Sequence, residues 1–277
     1  MSADKYACRP PVVLAAMALA AAVLAVPMST RADSPSGGGT LERILKDGVI
    51  RIGTIVGDAP FVDIGADGQL EGYEIDLANE LGKRMGVKVQ FVQTDVAGRV
   101  TTLQSGKVDA VFADFSVTTA RAMIIDFTDA YVVEGARIMT TTQNNYNSFA
   151  DLNKTGVKIG MDRGGSDVPI VKQLIPNAEV VEFTGPADAI GALAAGQVDA
   201  VATNDVILAL AIKAHPDQLK FVPGYLLRQI NGIGVPKGDL EWLQFMNTFI
   251  AQVNADGTNY ALWEKWIGGT PPPFVSK

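Results

Sequence analysis

Thiol chemistry is almost absent from this chain. Its one cysteine, Cys8, precedes an N-terminal apolar run. A chain cut after that run therefore has no disulfide and no reactive thiol, and no cysteine stands just past the run to carry a lipid. Histidine is equally scarce. His215 is the only one, in an Ala-His-Pro turn, which rules out a His/Cys metal cluster and a Ser-His-Asp triad. No Gly-x-Ser-x-Gly elbow occurs, and no Gly-Lys-Ser/Thr follows the turn at Gly164-Gly165 to make a phosphate loop. Carboxylates remain as groups for acid–base work. No apolar stretch beyond Val26 approaches membrane-spanning length. Basic blocks are missing too, and Lys+Arg number 23 against 30 Asp+Glu. Such an acidic balance argues against nucleic acid or an anionic membrane as partner.

What is present begins with Lys5 and Arg9, then Val12 to Val26, rich in Ala, Val and Leu, then a Pro/Ser/Thr/Ala patch. This is the pattern of a secretory signal, expected over 1–32 with cleavage near Ala32; an uncleaved anchor is the alternative. Removing Lys5, Arg9, Arg31 and Asp4 leaves a net charge of (23 − 3) − (30 − 1) = −9. Residues 33–39, ending in Gly37 to Gly39, read as a flexible leader.

Residues 103–111, LQSGKVDAV, and 193–201, LAAGQVDAV, match at six of nine positions, offset by 193 − 103 = 90. Each copy follows a helix-like segment and leads into a β-rich run, which predicts two similar α/β halves. Thr40 to Asp47 reads as a helix with Thr40 as N-cap and Gly48 as stop. Strands are expected at Val49–Thr54, Val87–Val92, Val108–Phe112, Val157–Gly160, Glu179–Phe183 and Val198–Ala202, with a returning strand at Ile230–Val235. Further β-rich sequence covers Val132–Met139, followed by a polar tract from Thr140 to Ser148 that marks a change of composition. Helices are expected at Tyr73–Met85, Val96–Ser105, from Val168, and at Pro186–Ala195, Asn204–Ala214, Leu240–Asp256 and Asn259–Trp266. Trp242, Phe245, Met246, Phe249, Trp263 and Trp266 read as helical core. Strands alternating with helices predict a parallel sheet and an α/β class.

In an open α/β sheet the ligand site lies beyond the carboxyl ends of the strands. Four loops qualify: Ile55–Phe61, Ala113–Arg121, Asp162–Asp167 and Thr203–Asp205. Arg121 offers a planar fork of donors suited to a carboxylate, or alternatively an internal salt bridge with Asp126 or Asp129. Gly164-Gly165-Ser166 before a helix suits an anionic group, or serves as a structural turn. Asp58, Asp162 and Asp167 are candidates for an ammonium, or solvated loop residues and caps.

These residues together resemble a family, the bacterial periplasmic solute-binding proteins of polar amino-acid ABC transporters (family 3). The matching stretches are Ile50–Thr54 with Ala59-Pro60-Phe61; GQLEGYEIDL from Gly68; Leu103–Ala110; Ser116-Val117-Thr118-Thr119-Ala120-Arg121; Asp126-Phe127-Thr128-Asp129-Ala130-Tyr131; Asp151-Leu152; Leu193–Ala200; and Asn254–Lys265. They run in family order over about 40–267. The resemblance implies a type II periplasmic-binding fold: two α/β lobes joined by two crossing strands around an interlobe cleft. Lobe one is expected from 40–133 plus 231–277 and lobe two from 134–230, with hinges near Val133–Gly135 and Gln229–Asn231. It implies that Arg121 binds an amino-acid carboxylate, helped by Asp114, Ser116, Gly165 and Ser166, with Asp58, Phe61, Asp162, Asn204 and Asp205 also at the ligand. It further implies a monomer in the periplasm that delivers its solute to an inner-membrane permease, with no cofactor and no metal. Three positions depart from the family pattern. Asp58 replaces a stacking aromatic, Asp114 a small or hydroxyl residue, and Asn204 the aspartate that pairs with the ammonium. The extra aspartates suggest a ligand with additional positive charge. An exported carboxylate-dependent dehydratase on the same scaffold is the alternative function.

Overall fold

The computed structural model describes residues 39–269 and 271. The expected signal segment, most of the leader and the end of the Pro-rich tail lie outside the described residues.

The first half opens with α1 (Thr40–Asp47), β1 (Val49–Thr54) and a small hairpin, β2 (Asp63–Ile64) with β3 (Leu70–Glu71), which turns at Asp67-Gly68. Then come α2 (Tyr73–Met85), β4 (Lys88–Gln93), α3 (Arg99–Gln104), β5 (Ala110–Val111), α4 (Thr119–Ala122) and the long β6 (Asp126–Thr141). The second half holds α5 (Phe149–Leu152), β7 (Lys158–Asp162), α6 (Val168–Leu174), β8 (Glu179–Phe183), α7 (Pro186–Ala194), β9 (Ala200–Asn204) and α8 (Asp205–Ala214). The long β10 (Leu219–Val235) returns the chain, and α9 (Leu240–Ala255) and α10 (Thr258–Trp266) close it.

The strands lie in the order β4-β1-β5-β10-β6-β9-β7-β8. The long antiparallel pair β6 and β10 forms the middle. On one side β1 pairs in parallel with β4 and β5; on the other β7 pairs in parallel with β8 and β9. Each half therefore lays its strands in the same sequence: centre, outer, then inner. The nine-residue repeat performs the same local task twice. Gly106 and Gly196 both hold φ at 68°, the left-handed conformation that lets each preceding helix end and turn. The aspartates of the two copies then accept a backbone N–H from the central strand of their half, Asp109 from Arg51 N and Asp199 from Lys158 N, both at 2.8 Å. A carboxylate satisfying a strand N–H explains why aspartate rather than an apolar residue sits there.

Among the described residues four buried hydrophobic clusters surround the sheet, two in each half. Ile50, Ile52, Leu77, Leu81, Phe112 and Val235 pack with Trp242, Met246, Phe249 and Trp263, as the helical spacing of α9 and α10 predicts. Phe245 and Trp266 pack partly buried on the same cluster. The second half buries Ile138, Leu152, Ile159, Met161, Val171 and Ala200. Burying Trp242 leaves no polar penalty, because its indole N–H donates to Asp109 O at 2.9 Å.

Several local expectations change. Gly39, not Thr40, is the N-cap of α1, and Thr40 N donates to Asp239 Oδ2 at 3.0 Å. The acceptor comes from the far end of the chain, where local pattern gives no sign of it. The strand expected over Val108–Phe112 is regular only over Ala110–Val111. β10 begins at Leu219 rather than Ile230, because Pro223-Gly224 and an irregularity between Val222 and Leu227 mask its first half. The one-turn helices α4 and α5 show no periodicity and are held by caps, Thr118 Oγ1 and Ser148 Oγ.

Candidate functional site

The carboxyl ends of β1, β5, β7 and β9 all point toward the middle of the molecule, so the four loops that follow them meet. Ile55, Asp58, Ala113, Asp114 and Ser116 from the first half face Asp162, Gly165, Ser166, Asp167, Thr203 and Asn204 from the second. Val96, Arg99 and, from β10, Gln229 complete the wall of a cavity of about 30 Å³. That is space for roughly two water-sized groups, so the halves are closed on one another. Bonds across the cavity hold them: Ser166 Oγ to Ser116 Oγ at 3.1 Å, Asn204 Nδ2 to Asp114 Oδ2 at 2.9 Å and Arg121 Nη2 to Gly164 O at 2.8 Å.

Asp114 is the centre of the polar network. Among the described residues it is the only non-glycine with positive φ, at 46°. Aspartate tolerates that region better than most residues, and such outliers gather at functional sites. Its backbone N–H donates to Glu74 Oε1 at 2.8 Å. Its carboxylate receives the side-chain amides of Asn204 and Asn231. Glu134 on β6 lies beneath, taking Gln229 Nε2 at 2.8 Å and a second contact from Asn204. Asp114 and Asn204 also stand one repeat apart, 204 − 114 = 90. They are equivalent positions of the two halves, facing each other across the cleft.

Arg121 makes no salt bridge to Asp126 or Asp129. Asp126 is paired with Lys237 instead, at 2.6 Å. The Arg121 guanidinium joins the halves through carbonyls, donating to Ser116 O at 2.7 Å and to Gly164 O. It lies against the Phe115 ring, 5.0 Å from its centre, and is not part of the cavity wall. Burial, followed by the nearby Arg99, pulls its pKa down to about 9. The arginine that does line the cavity is Arg99, which the sequence reading passed over as one more residue of a helical pattern. It is 4% exposed, rests 4.6 Å from the Phe115 centroid, and donates to Val96 O, Ala113 O and Asp114 O.

Besides Arg121, two further expected ligand residues are not brought to the cavity. Phe61 is fully buried in the core, its ring edge-on to Tyr73 at 6.2 Å. The loop's cis Ala59-Pro60 bond precedes it. Asp205 turns away to accept Gly135 N at 3.1 Å and lines a separate surface groove with Trp263 and Trp266. Glu74 and Glu134, which support the site, carried no signal in the sequence, since each sits inside a regular element.

Burial dominates the electrostatics. Asp58 is pushed well above the usual carboxylate range by desolvation, then by Asp114 and Glu74. Glu134 is raised well above its ordinary value by burial and then by Asp114. Glu74 rises to about 7, Asp167 to about 7 and Asp162 to about 6, each with burial as the leading cause. No group of three or more His, Cys, Asp or Glu side chains among the described residues is placed to hold a metal ion. No helix among them is long and apolar enough to cross a membrane.

The family model of the bacterial extracellular solute-binding proteins, family 3, matches residues 50–269. The chain belongs to that family. Among curated proteins, the L-cystine-binding protein TcyJ of Escherichia coli (strain K12) is 26% identical over 254 residues, 92% of this chain and 95% of the relative. Among solved structures, the ancestral amino acid-binding protein AncCDT-1, a precursor of cyclohexadienyl dehydratase, is 34% identical with a TM-score of 0.78, covering 82% of this chain and 99% of its own. An ancestral arginine-binding protein bound to arginine is also 34% identical, with a TM-score of 0.75 and coverage of 80% and 99%. This solute-binding protein thus has the two-lobed type II fold that the resemblance implies. β6 and β10 are the crossing strands, and the polar cavity lies between the lobes.

Proposed function

We propose that the cavity captures an amino acid, or a related small amine-bearing carboxylate, in the periplasm and that the protein presents it as a monomer to an ABC permease in the inner membrane. The observation that carries this reading is the composition of the closed cleft. Both lobes supply its walls, the Arg121 guanidinium bridges the lobes beside it, and a buried network around Asp114 lines it. On opening, Arg121 frees donors from Ser116 O and Gly164 O for the ligand carboxylate, with Ser116, Gly165 and Ser166 beside it. Asp114 supplies the charge for the ammonium, and Asn204 holds that carboxylate in place. The lobes are 40–133 plus 231–277 and 134–230, bending near Val133–Gly135 and Gln229–Asn231. A ligand touching both lobes favours the closed state because it adds contacts that the open state lacks.

A screen of the twenty amino acids by thermal shift is expected to raise the melting midpoint with one class, since a ligand bound only to the folded state stabilises it. Arg121→Ala should weaken that ligand by about tenfold to a hundredfold, roughly 1.5–3 kcal/mol for a charge-assisted bond. Arg121→Lys should recover only part of this, for want of a planar fork. Unchanged affinity in a folded Arg121→Ala protein would remove Arg121 as anchor. The dehydratase reading draws on one observation, the cavity-lining carboxyls Asp162 and Asp167, whose pKa values near neutrality suit proton transfer. Recovery of unchanged ligand at one equivalent supports transport; turnover of a cyclic hydroxy acid supports the enzyme.

A further inference from the structure

The unmet hydrogen bonds of the cleft have a consistent polarity. Among the described residues, five buried side-chain atoms lack a partner: Thr54 Oγ1, Asp58 Oδ2, Glu74 Oε2, Asp162 Oδ1 and Asn231 Oδ1. Apart from the threonine hydroxyl they are an amide oxygen and three carboxyl oxygens, which only accept once the carboxyl is ionised. Asp58 and Asp162 both line the cavity, are 3% and 9% exposed, and come from opposite lobes. Asp58 follows β1 and Asp162 ends β7. Asp162 Oδ2 already takes Thr203 Oγ1 at 2.8 Å, so the free oxygen is the one left for a ligand.

We propose that Asp58 and Asp162 form an interlobe clamp for a second positive group, so that the captured solute is a basic amino acid such as arginine or lysine. The proposal rests on the amino-acid reading above and names the side chain that reading leaves open. Its physical basis is the cost of burying acceptors, and above all charge, without donors. Four carboxyl side chains line the cavity (Asp58, Asp114, Asp162 and Asp167) against one guanidinium, Arg99. Adding Arg121 still leaves an excess of two carboxyls. Arg99 tempers the field but does not fill the role, since its hydrogen bonds go to carbonyl oxygens rather than to either free carboxylate oxygen. A zwitterion with a neutral side chain leaves the excess as it is. A side-chain ammonium or guanidinium lowers it by one and brings several N–H donors to a place where only acceptors wait. Because the two aspartates sit on different lobes, one cationic group touching both also favours closure.

Citrulline tests this cleanly, because it matches arginine in shape and lacks its charge. By calorimetry with the purified protein, arginine or lysine is expected to bind at least a hundredfold more tightly than citrulline or glutamine. Asp58→Asn and Asp162→Asn should each cut arginine affinity by tenfold or more while leaving citrulline affinity within about threefold. A melting curve on each variant checks that it is folded. If citrulline or glutamine binds as tightly as arginine, or both variants keep the arginine preference, the clamp is refuted and the amino-acid reading stands. If no amino acid binds the wild-type protein, both fall together.

Discussion

Asp167 carries a pH signature that one substitution can read. Its folded pKa is raised to about 7 by burial, then by Asp162, against roughly 3.9 in an unfolded chain. A carboxyl raised in this way holds its proton more firmly when folded. Its contribution to stability is therefore full below about pH 4 and is lost as pH rises through about 7. Asp162, at about 6, and Glu74, at about 7, act in the same direction. Thermal melts of Asp167→Asn should fall less between pH 5 and pH 8 than those of the wild type; parallel curves would mean that ionising Asp167 costs the fold nothing. At this scale the sequence was informative where an exposed loop followed a strand. It pointed to Asp58, Asp114, Ser116, Asp162, Gly165, Ser166 and Asn204, all of which line the cavity. It was silent for Arg99, Glu74 and Glu134, because a polar residue inside a helix or strand looks like solvent-facing periodicity until the neighbours are known.

Among the elements, the starts of two helices are fastened together. Asp239 caps α9 by accepting Trp242 N at 3.1 Å with one oxygen and fastens α1 by accepting Thr40 N with the other. Asp239→Ala should cost about 1–2 kcal/mol, as losing a helix cap does, measured by urea denaturation. A loss below a few tenths would place both helix ends in water's care instead. Element identity was legible where periodicity and stop residues agree. Gly48 and Gly86 both end their helices in the left-handed conformation, and α2, α6 and β8 run where the pattern puts them. β10 was legible only in part, since its register comes from β6 across the molecule rather than from its own alternation.

For the molecule as a whole, the closed cleft makes Gly164 a point of contact between lobes. It holds φ at 83°, and a Cβ there would lie 2.9 Å from Ala97 Cα on the facing lobe. Gly164→Val should lower stability, because φ of 83° strains a β-branched residue, and should also hinder closure, reducing the ligand affinity of the folded protein about tenfold, or ~1.4 kcal/mol. Small-angle scattering should then show a smaller ligand-induced contraction than in the wild type. Full contraction with unchanged affinity would show that closure does not depend on this approach.

The sequence alone determined the α/β class, the duplicated half, the family and the loops from which the site is drawn, because those depend on short-range periodicity, turn chemistry and the carboxyl ends of parallel strands. It did not decide which side chains line the cavity. Phe61 entered the core, Asp205 turned to Gly135, Arg121 bridged two carbonyls and Arg99 took a place in the wall. Those outcomes follow from how the lobes meet along β6 and β10, where burial and the need to pair every donor and acceptor are settled between residues far apart in the chain.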